Sequence, residues 1–353
     1  MKLPWVNLLL LFLLLAQAIT GYFGFTNGRE AAAWLLWLHG IIAYALILLV
    51  FLKANIILDA WRRKKRWTGR RVGFLVTLAL LGLTLLLGLL WTFNGPLYLG
   101  GFSLVSLHIY VAVPLMLLML WHAWHMRFIR RVEGATGRRL FLGGLAATGA
   151  GLLLWLIVGR AKAWAGLAGA ARRFTGSYET GSFGGDFPVV SWIADRPPPV
   201  DVTAWRLRVE GAVERPLSLS YADLTQGPQR ELVAALDCTG GWYSVQRWQG
   251  VRVGELLAQA GLSDQAASVT FVSVSGYRRR FALPAAQGYL LALGVIPGSE
   301  PDQPGAFQPL SHGHGAPARL VAPGERGMEW VKWVTIIRVN ESGPYVQSPL
   351  PLQ

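Results

Sequence analysis

Five long apolar runs dominate the first 160 positions, near residues 5–25, 31–53, 73–92 and 103–126 and then from Leu140 to Val158. At a helical rise of about 1.5 Å per residue, each is long enough to cross roughly 30 Å of hydrocarbon. The pattern therefore predicts an all-α bundle of five transmembrane helices over residues 1–160. The polar breaks between the runs are lopsided. "DAWRRKKRWTGRR" follows the second and "HMRFIRRVEGATGRR" the fourth, whereas the intervening "TNGRE" and "FNGPLYLGGF" carry a single Arg. Basic loops stay on the cytoplasmic side. An odd number of crossings then leaves the N-terminus inside a bacterial cell membrane and everything after residue 160 on its periplasmic or outer face.

Beyond residue 160 the pattern changes. Residues 161–198, rich in Gly, Pro and Ser, read as a linker followed by an ordered loop. Residues 199–345 read as short strands with an occasional helix. Trp205, Leu207 and Val209 alternate along one strand, and Ser220 is placed to cap a short helix containing Leu224. Glu231 to Asp237 forms an apolar strand running into Cys238, and "VGELLAQAG" a helix ending at Gly261. "SVTFVSVSG", "ARLVAP" and "VKWVTIIRV" supply further strands with β-branched residues. Residues 346–353 form a tail. No internal repeat, low-complexity run or nucleotide-type Gly-rich loop is visible.

Composition adds weight to the membrane reading, since 53% of the 353 residues are hydrophobic. A formal net charge of +14 would by itself invite a nucleic-acid partner. Much of that excess lies in the two basic loops, where it sets orientation and meets anionic headgroups. Membrane lipid, and no nucleic acid, is the expected partner. In "GRRLFLGGLAATGAG", Arg138 and Arg139 precede a Gly- and Ala-rich helix, which resembles a twin-arginine export signal. Such a signal exports a domain already folded, which suits a bulky cofactor inserted in the cytoplasm.

Candidate chemistry lies in a few places. Cys238 is the only cysteine, which excludes an intramolecular disulfide and leaves its thiol as core filler or as a reactive or metal-binding group. "SHGHGAPARLVAPGERGMEWVKW" sets His314, Arg319 and Lys332 among Gly and Pro. Glycines let a ligand approach the backbone, and Arg with Lys can grip a phosphate, although the same side chains could simply satisfy loop carbonyls. Arg278, Arg279 and Arg280 read as a solvated strand face. Within the apolar runs, His39 and His108 lie within about nine residues of the outer helix ends and so at similar depth. They can form a bis-imidazole haem b site; the alternative is two polar residues satisfied between helices, but ionisable groups in membranes are costly and functional by default. His122, fourteen residues beyond His108, and His125 face the cytoplasm. Lacking an inner partner on another helix, they suit headgroups or a quinone better than a second haem.

The order Asp-Cys-x-Gly, Arg-Trp-x-Gly-Val, His-Gly-x-Pro-x-Arg-Leu-Val-x-Pro-Gly and Val-Lys-Trp resembles the molybdopterin domain of the sulfite oxidase superfamily. Within it, the likeness is to bacterial periplasmic oxidoreductases that include the catalytic subunit of the protein-methionine-sulfoxide reductase. The resemblance covers roughly residues 175 to 340. It implies an α+β sulfite-oxidase-type domain with mixed sheets and a molybdenum-molybdopterin cofactor. Cys238 would ligate molybdenum as thiolate beside the pterin dithiolene and oxo groups, a soft anionic ligand for a metal already bound by sulfur. His314 and Arg319 would hold the pterin phosphate and pyran, with help from Trp330, Val331 and Lys332. Trp242 and Tyr243 are candidates to line the pocket or to pack the core. Two departures matter. The stretch "GSFGGDFPVVSWIAD" lacks the Arg that animal and plant sulfite oxidases carry ahead of the cysteine, which argues against sulfite. Those enzymes also continue into an immunoglobulin-like dimerisation domain where this chain ends, so a monomeric catalytic domain is expected. The phosphate-gripping residues fit a pterin without a nucleotide, and a dinucleotide form stays open.

The expected function is a membrane-anchored molybdenum oxidoreductase with an outward-facing catalytic domain. It would reduce a small-molecule or protein S-oxide, or an N-oxide, by oxygen-atom transfer, drawing on a quinone or cytochrome through the membrane haem. Oxidation of sulfite or another small reductant is the enzymatic alternative. A non-catalytic binding or sensing module on a membrane cytochrome is the other.

Overall fold

The computed structural model describes residues 4–63, 69–126, 135–191, 195, 197–298 and 305–349. The chain divides into two compact units, Met1–Tyr178 and Glu179–Gln353.

The first unit is helical: α1 (Pro4–Thr26), α2 (Ala33–Arg63), α3 (Gly69–Asn94), α4 (Leu104–Met126) and α5 (Ala135–Trp164), with a short hairpin of β1 (Tyr98–Leu99) and β2 (Phe102–Ser103) before α4. All five helices are long and apolar enough to cross a membrane. The fifth extends beyond its apolar run at both ends, because the flanking Ala, Arg and Lys are good helix formers. Contacts join α1 to α2 and α5, α2 to α5, and α3 to α4. Leu9, Leu13, Leu14, Ile42, Ala45, Leu46 and Leu49 fill a core between helices. Phe12, Ile19, Phe51, Leu52, Leu117 and Leu153 point outward, an apolar exterior that a water-soluble bundle would not carry. After α5 the chain folds back on α3. The Tyr178 hydroxyl donates to the Trp91 carbonyl (2.7 Å) and the Trp91 indole to the Gly176 carbonyl (3.0 Å). The boundary between units therefore falls within the stretch read as a linker, inside the two-residue strand β3 (Tyr178–Glu179).

The second unit is α+β with two sheets. One joins β5 (Leu217–Ser220), β4 (Arg206–Gly211), β13 (Val334–Asn340), β8 (Ser268–Ser273) and β9 (Arg278–Ala282) in that order. It is mixed, because β4 and β13 run parallel while the other pairs are antiparallel. The other sheet pairs β6 (Arg230–Asp237) with β7 (Trp242–Arg252), β7 with β10 (Leu290–Val295), and β10 with β11 (Gln308–Pro309) and β12 (Arg319–Val321). Helices α6 (Tyr221–Gln226), α7 (Val253–Ala260) and α8 (Leu283–Gln287) complete it. The predicted alternation holds in β4, where Leu207 and Val209 are fully buried. Ser220 caps α6 through a capping box with Asp223.

One expectation is corrected. Arg278, Arg279 and Arg280 do not form a solvated face, because strand alternation turns the middle side chain inward. Arg279 is 1% exposed. Its guanidinium donates to the Tyr277 hydroxyl (2.8 Å) and the Ser348 carbonyl (2.8 Å) and lies 3.5 Å from Glu329.

Candidate functional site

The β6–β7 ladder runs from Arg230 opposite Gly250 to Asp237 opposite Tyr243, so Cys238 sits on the hairpin turn. Its N–H donates to the Trp242 carbonyl (2.9 Å), its carbonyl accepts from the Gly241 N–H (3.1 Å), and the Gly240 N–H points at Sγ (3.3 Å). Burial pushes the thiol pKa up, while the Gly240 N–H, Arg326 and Lys332 pull it down and Asp237 adds to the rise. Asp237 and Arg326, 2% and 3% exposed, form a buried ion pair directly behind the cysteine. Arg326 also donates to the Cys238 carbonyl (3.2 Å). Sequence reasoning missed Arg326, since nothing local links it to a residue so far away in the chain.

Arg319 enters from β12, whose backbone pairs with Ala292 of β10. Its guanidinium lies over Trp248 (5.3 Å) and Trp330 (5.9 Å), donates to the His314 carbonyl (3.0 Å), and keeps a buried Nε–H with no acceptor among the described residues. Burial pushes Arg319 down to about 9, so it remains a cation at neutral pH. A buried cation with an unmet donor and, among the described residues, no paired carboxylate suits an anionic ligand.

Lys332 donates to the carbonyls of Val190 (2.8 Å) and Gly313 (2.6 Å) and to the Ser191 hydroxyl (3.1 Å). Burial, followed by the charge on Arg319, pushes it down to about 7, with Cys238 and Asp195 opposing. Gly315 lies between the two cations with φ 107; a Cβ there would sit 3.1 Å from the Cβ atoms of Arg319 and Lys332. His314 holds Ser311 Oγ through Nδ1 (3.0 Å) and the Phe187 carbonyl through Nε2 (2.7 Å), with its ring 4.0 Å from that of Phe187. Burial lowers its pKa. A cavity of about 210 Å³ lined by Gly185, Asp186, Ser311 and His314 opens beside it.

The remaining expected residues divide. Trp330 meets Trp248 edge-on with ring centres 5.6 Å apart, and its ring lies under Arg319. Val331 is fully buried, its carbonyl accepting the Leu320 N–H (2.8 Å). Trp242 and Tyr243 face opposite sides of β7. Trp242 is buried and borders the Gly240 turn next to Sγ, whereas Tyr243 is half-buried on the other face. Phe187 beside His314 was passed over by the sequence reading, and Trp248 under Arg319 entered it only as part of the Arg-Trp-x-Gly-Val motif, without a role of its own. Of the segment ahead of the cysteine, Trp192, Ile193 and Ala194 lie outside the described residues.

The helical unit holds its own cluster. The rings of His39 and His108 lie 6.2 Å apart, centre to centre, at 77°. His39 Nδ1 meets the Gln17 carbonyl (3.1 Å) and Thr20 Oγ1 (3.3 Å), and His108 Nδ1 meets the Thr84 carbonyl (2.8 Å). An Nδ1–H given to a carbonyl leaves the lone pair on Nε2, the usual tautomer of a metal-binding histidine. His122 is half-buried, the His125 side chain lies outside the described residues, and no group of three His, Cys, Asp or Glu converges as a metal site among those described.

The family of the second unit follows from its sequence. A family described as the oxidoreductase molybdopterin binding domain matches residues 194–345. These residues are a molybdopterin-binding oxidoreductase domain of the sulfite oxidase superfamily. The chain is 28% identical over 161 residues to the oxidoreductase YuiH of Bacillus subtilis (strain 168), covering 44% of this chain and 77% of that protein. It is 32% identical over 174 residues to the mitochondrial sulfite oxidase of Mus musculus, covering 42% and 31%. With the protein-methionine-sulfoxide reductase catalytic subunit MsrP of Xanthomonas campestris pv. campestris it shares 30% over 161 residues, covering 40% and 47%. The chain thus spans less than half the length of the latter two. Among solved structures, the sulfane dehydrogenase SoxCD of Paracoccus pantotrophus aligns with a TM-score of 0.37 at 25% identity, covering 41% of this chain and 40% of that one.

The residues of the molybdopterin domain fit the cofactor. A soft thiol sits on the β6–β7 turn with the Gly240 N–H directed at it, and a cradle holds Arg319 with its unmet N–H, Lys332, and a glycine where a side chain would intrude.

Proposed function

We propose that this protein is a multi-pass enzyme of a bacterial inner membrane that reduces an S-oxide or N-oxide on the periplasmic face. Electrons would come from a quinone or cytochrome and pass through haem b between His39 and His108. Cys238 would ligate molybdenum; Arg319, Lys332 and His314 would hold the pterin phosphate and pyran, and Trp330 and Val331 shape its floor. When bound there, molybdenum supplies a two-electron couple that exchanges an oxygen atom. The net change is R₂SO + 2e⁻ + 2H⁺ → R₂S + H₂O. This chain's own contribution is to seat the metal on a buried thiolate, neutralise the phosphate with two cations, and exclude water with Trp242, Phe187 and Trp248.

The observation that carries the reading is that buried Arg319, with its unmet N–H, and Lys332 flank Gly315 at 3.1 Å from its Cβ position, in the same domain as the buried Cys238 thiol on its glycine turn. The haem rests on the paired histidines. The two ring centres lie 6.2 Å apart, and each Nδ1 meets a backbone carbonyl, so both Nε2 lone pairs are left to hold a haem iron that would supply one-electron transfer. Elemental analysis of the detergent-solubilised protein from a cofactor-competent host, with a dithionite-reduced spectrum, tests both. Near-stoichiometric molybdenum and a haem b band are expected; molybdenum without the band reduces the helices to an anchor, and neither metal overturns the proposal. Assays with sulfoxides, N-oxides and sulfite then decide direction, and faster sulfite oxidation would reverse it.

A further inference from the structure

Lys162 lies in the apolar span Gly137–Trp164 yet is only 6% exposed. Its ammonium donates to the carbonyls of Thr92 (3.2 Å) and Gly169 (3.3 Å), which leaves one of its three N–H donors. Among the described residues no carboxylate pairs with it, and residues 1–178 contain only Glu30, Asp59 and Glu133 as acids. A buried ammonium in a membrane helix without a counter-charge is costly and points to a function.

Its place in the bundle indicates which. On α5, Lys162 lies two turns beyond Trp155, whose indole faces Gly40, the neighbour of His39. On α3, its acceptor Thr92 lies one turn beyond Gly88, which faces the His108 ring. Lys162 therefore closes the outer end of the gap in which His39 and His108 meet. Arg172 donates to Thr92 Oγ1 (3.4 Å) and lies within hydrogen-bond reach of the Tyr178 hydroxyl, adding a second, more open cation.

We propose that Lys162 and Arg172 form the carboxylate-binding end of the site between His39 and His108 and receive the two propionates of haem. The inference rests on the haem reading and extends it from the iron ligands to the cofactor's orientation, propionates outward. A cation beside haem favours its reduced form, which carries one more electron. Mere capping of the α3 carbonyls by Lys162 would not touch that equilibrium.

The test is an optical redox titration of the full-length protein in detergent, comparing wild type with Lys162→Met, Lys162→Arg and Arg172→Gln. At fixed potential, Lys162→Met should lower the reduced-to-oxidised haem ratio at least tenfold, about 59 mV for a one-electron couple. Lys162→Arg should stay near wild type, and Arg172→Gln should shift the same way by less. A haem-loaded Lys162→Met protein within twofold of wild type overturns the proposal. Should that variant fail to fold, Arg172→Gln decides, and an unchanged ratio there overturns it. A wild type without any haem band fails earlier, at the haem reading itself.

Discussion

His39 and His108 are anchored by the same device. Each Nδ1 meets a carbonyl on the preceding helix, Gln17 or Thr84, and each ring lies against the glycine four residues further on, Gly21 or Gly88. A Cβ on Gly21 would come within 3.0 Å of the His39 ring, and one on Gly88 within 3.2 Å of His108. The hairpins α1–α2 and α3–α4 thus present one imidazole each to a shared gap, although no repeat is visible in the sequence.

His39→Ala and His108→Ala should each abolish the haem b absorbance, since six-coordinate ligation needs both rings. Gly88→Val should weaken it severely by displacing His108, with helical circular dichroism unchanged. A full-strength band in both alanine variants would remove the assignment.

Cys238→Ser should reduce turnover to background while leaving expression and melting temperature little changed. A buried serine hydroxyl replaces the thiol in volume but is a hard ligand for a metal that prefers sulfur. Activity above a tenth of wild type would exclude the thiolate role.

Breaking the Asp237–Arg326 pair exposes one buried charge without its partner. Asp237→Asn or Arg326→Met alone should cost about 3–5 kcal/mol, whereas the double variant should recover most of the loss. Thermal and urea unfolding in detergent give the cycle; additive losses would show that the two residues act separately.

In the cofactor-free protein the Lys332 ammonium falls from its ordinary 10.5 to about 7. The unfolded chain then binds more protons than the folded one between those values, so stability should rise as pH increases from about 7 towards 10.5. Lys332→Met should flatten that slope. Urea midpoints between pH 7 and pH 9.5 measure it, and an identical slope in the variant would assign it to another group.

Arg138 and Arg139 stand exposed at the start of α5. Replacing both with lysine keeps the charge but removes the arginine pair, and should strand the molybdopterin domain in the cytoplasm. Unaltered protease accessibility from the outer face would refute twin-arginine export.

Much of this molecule is legible in its amino-acid order because the properties concerned are local. Run length and apolar content determine five membrane-length helices, and the asymmetry of the basic loops supplies an expectation of how a bilayer would orient them. Period-two alternation determines strands such as the one carrying Leu207 and Val209, and motif order around Cys238, His314, Arg319 and Lys332 identifies the catalytic domain. Tertiary structure alone decided the rest. That Arg279 is interior depends on which face of β9 meets the core. The placement of Trp242 rather than Tyr243 beside the thiol depends on the β6–β7 register. Arg326 behind Cys238, and Lys162 above the paired histidines, depend on segments remote in sequence arriving together. Burial and charge pairing are properties of those meetings, so no window of neighbouring residues contains them.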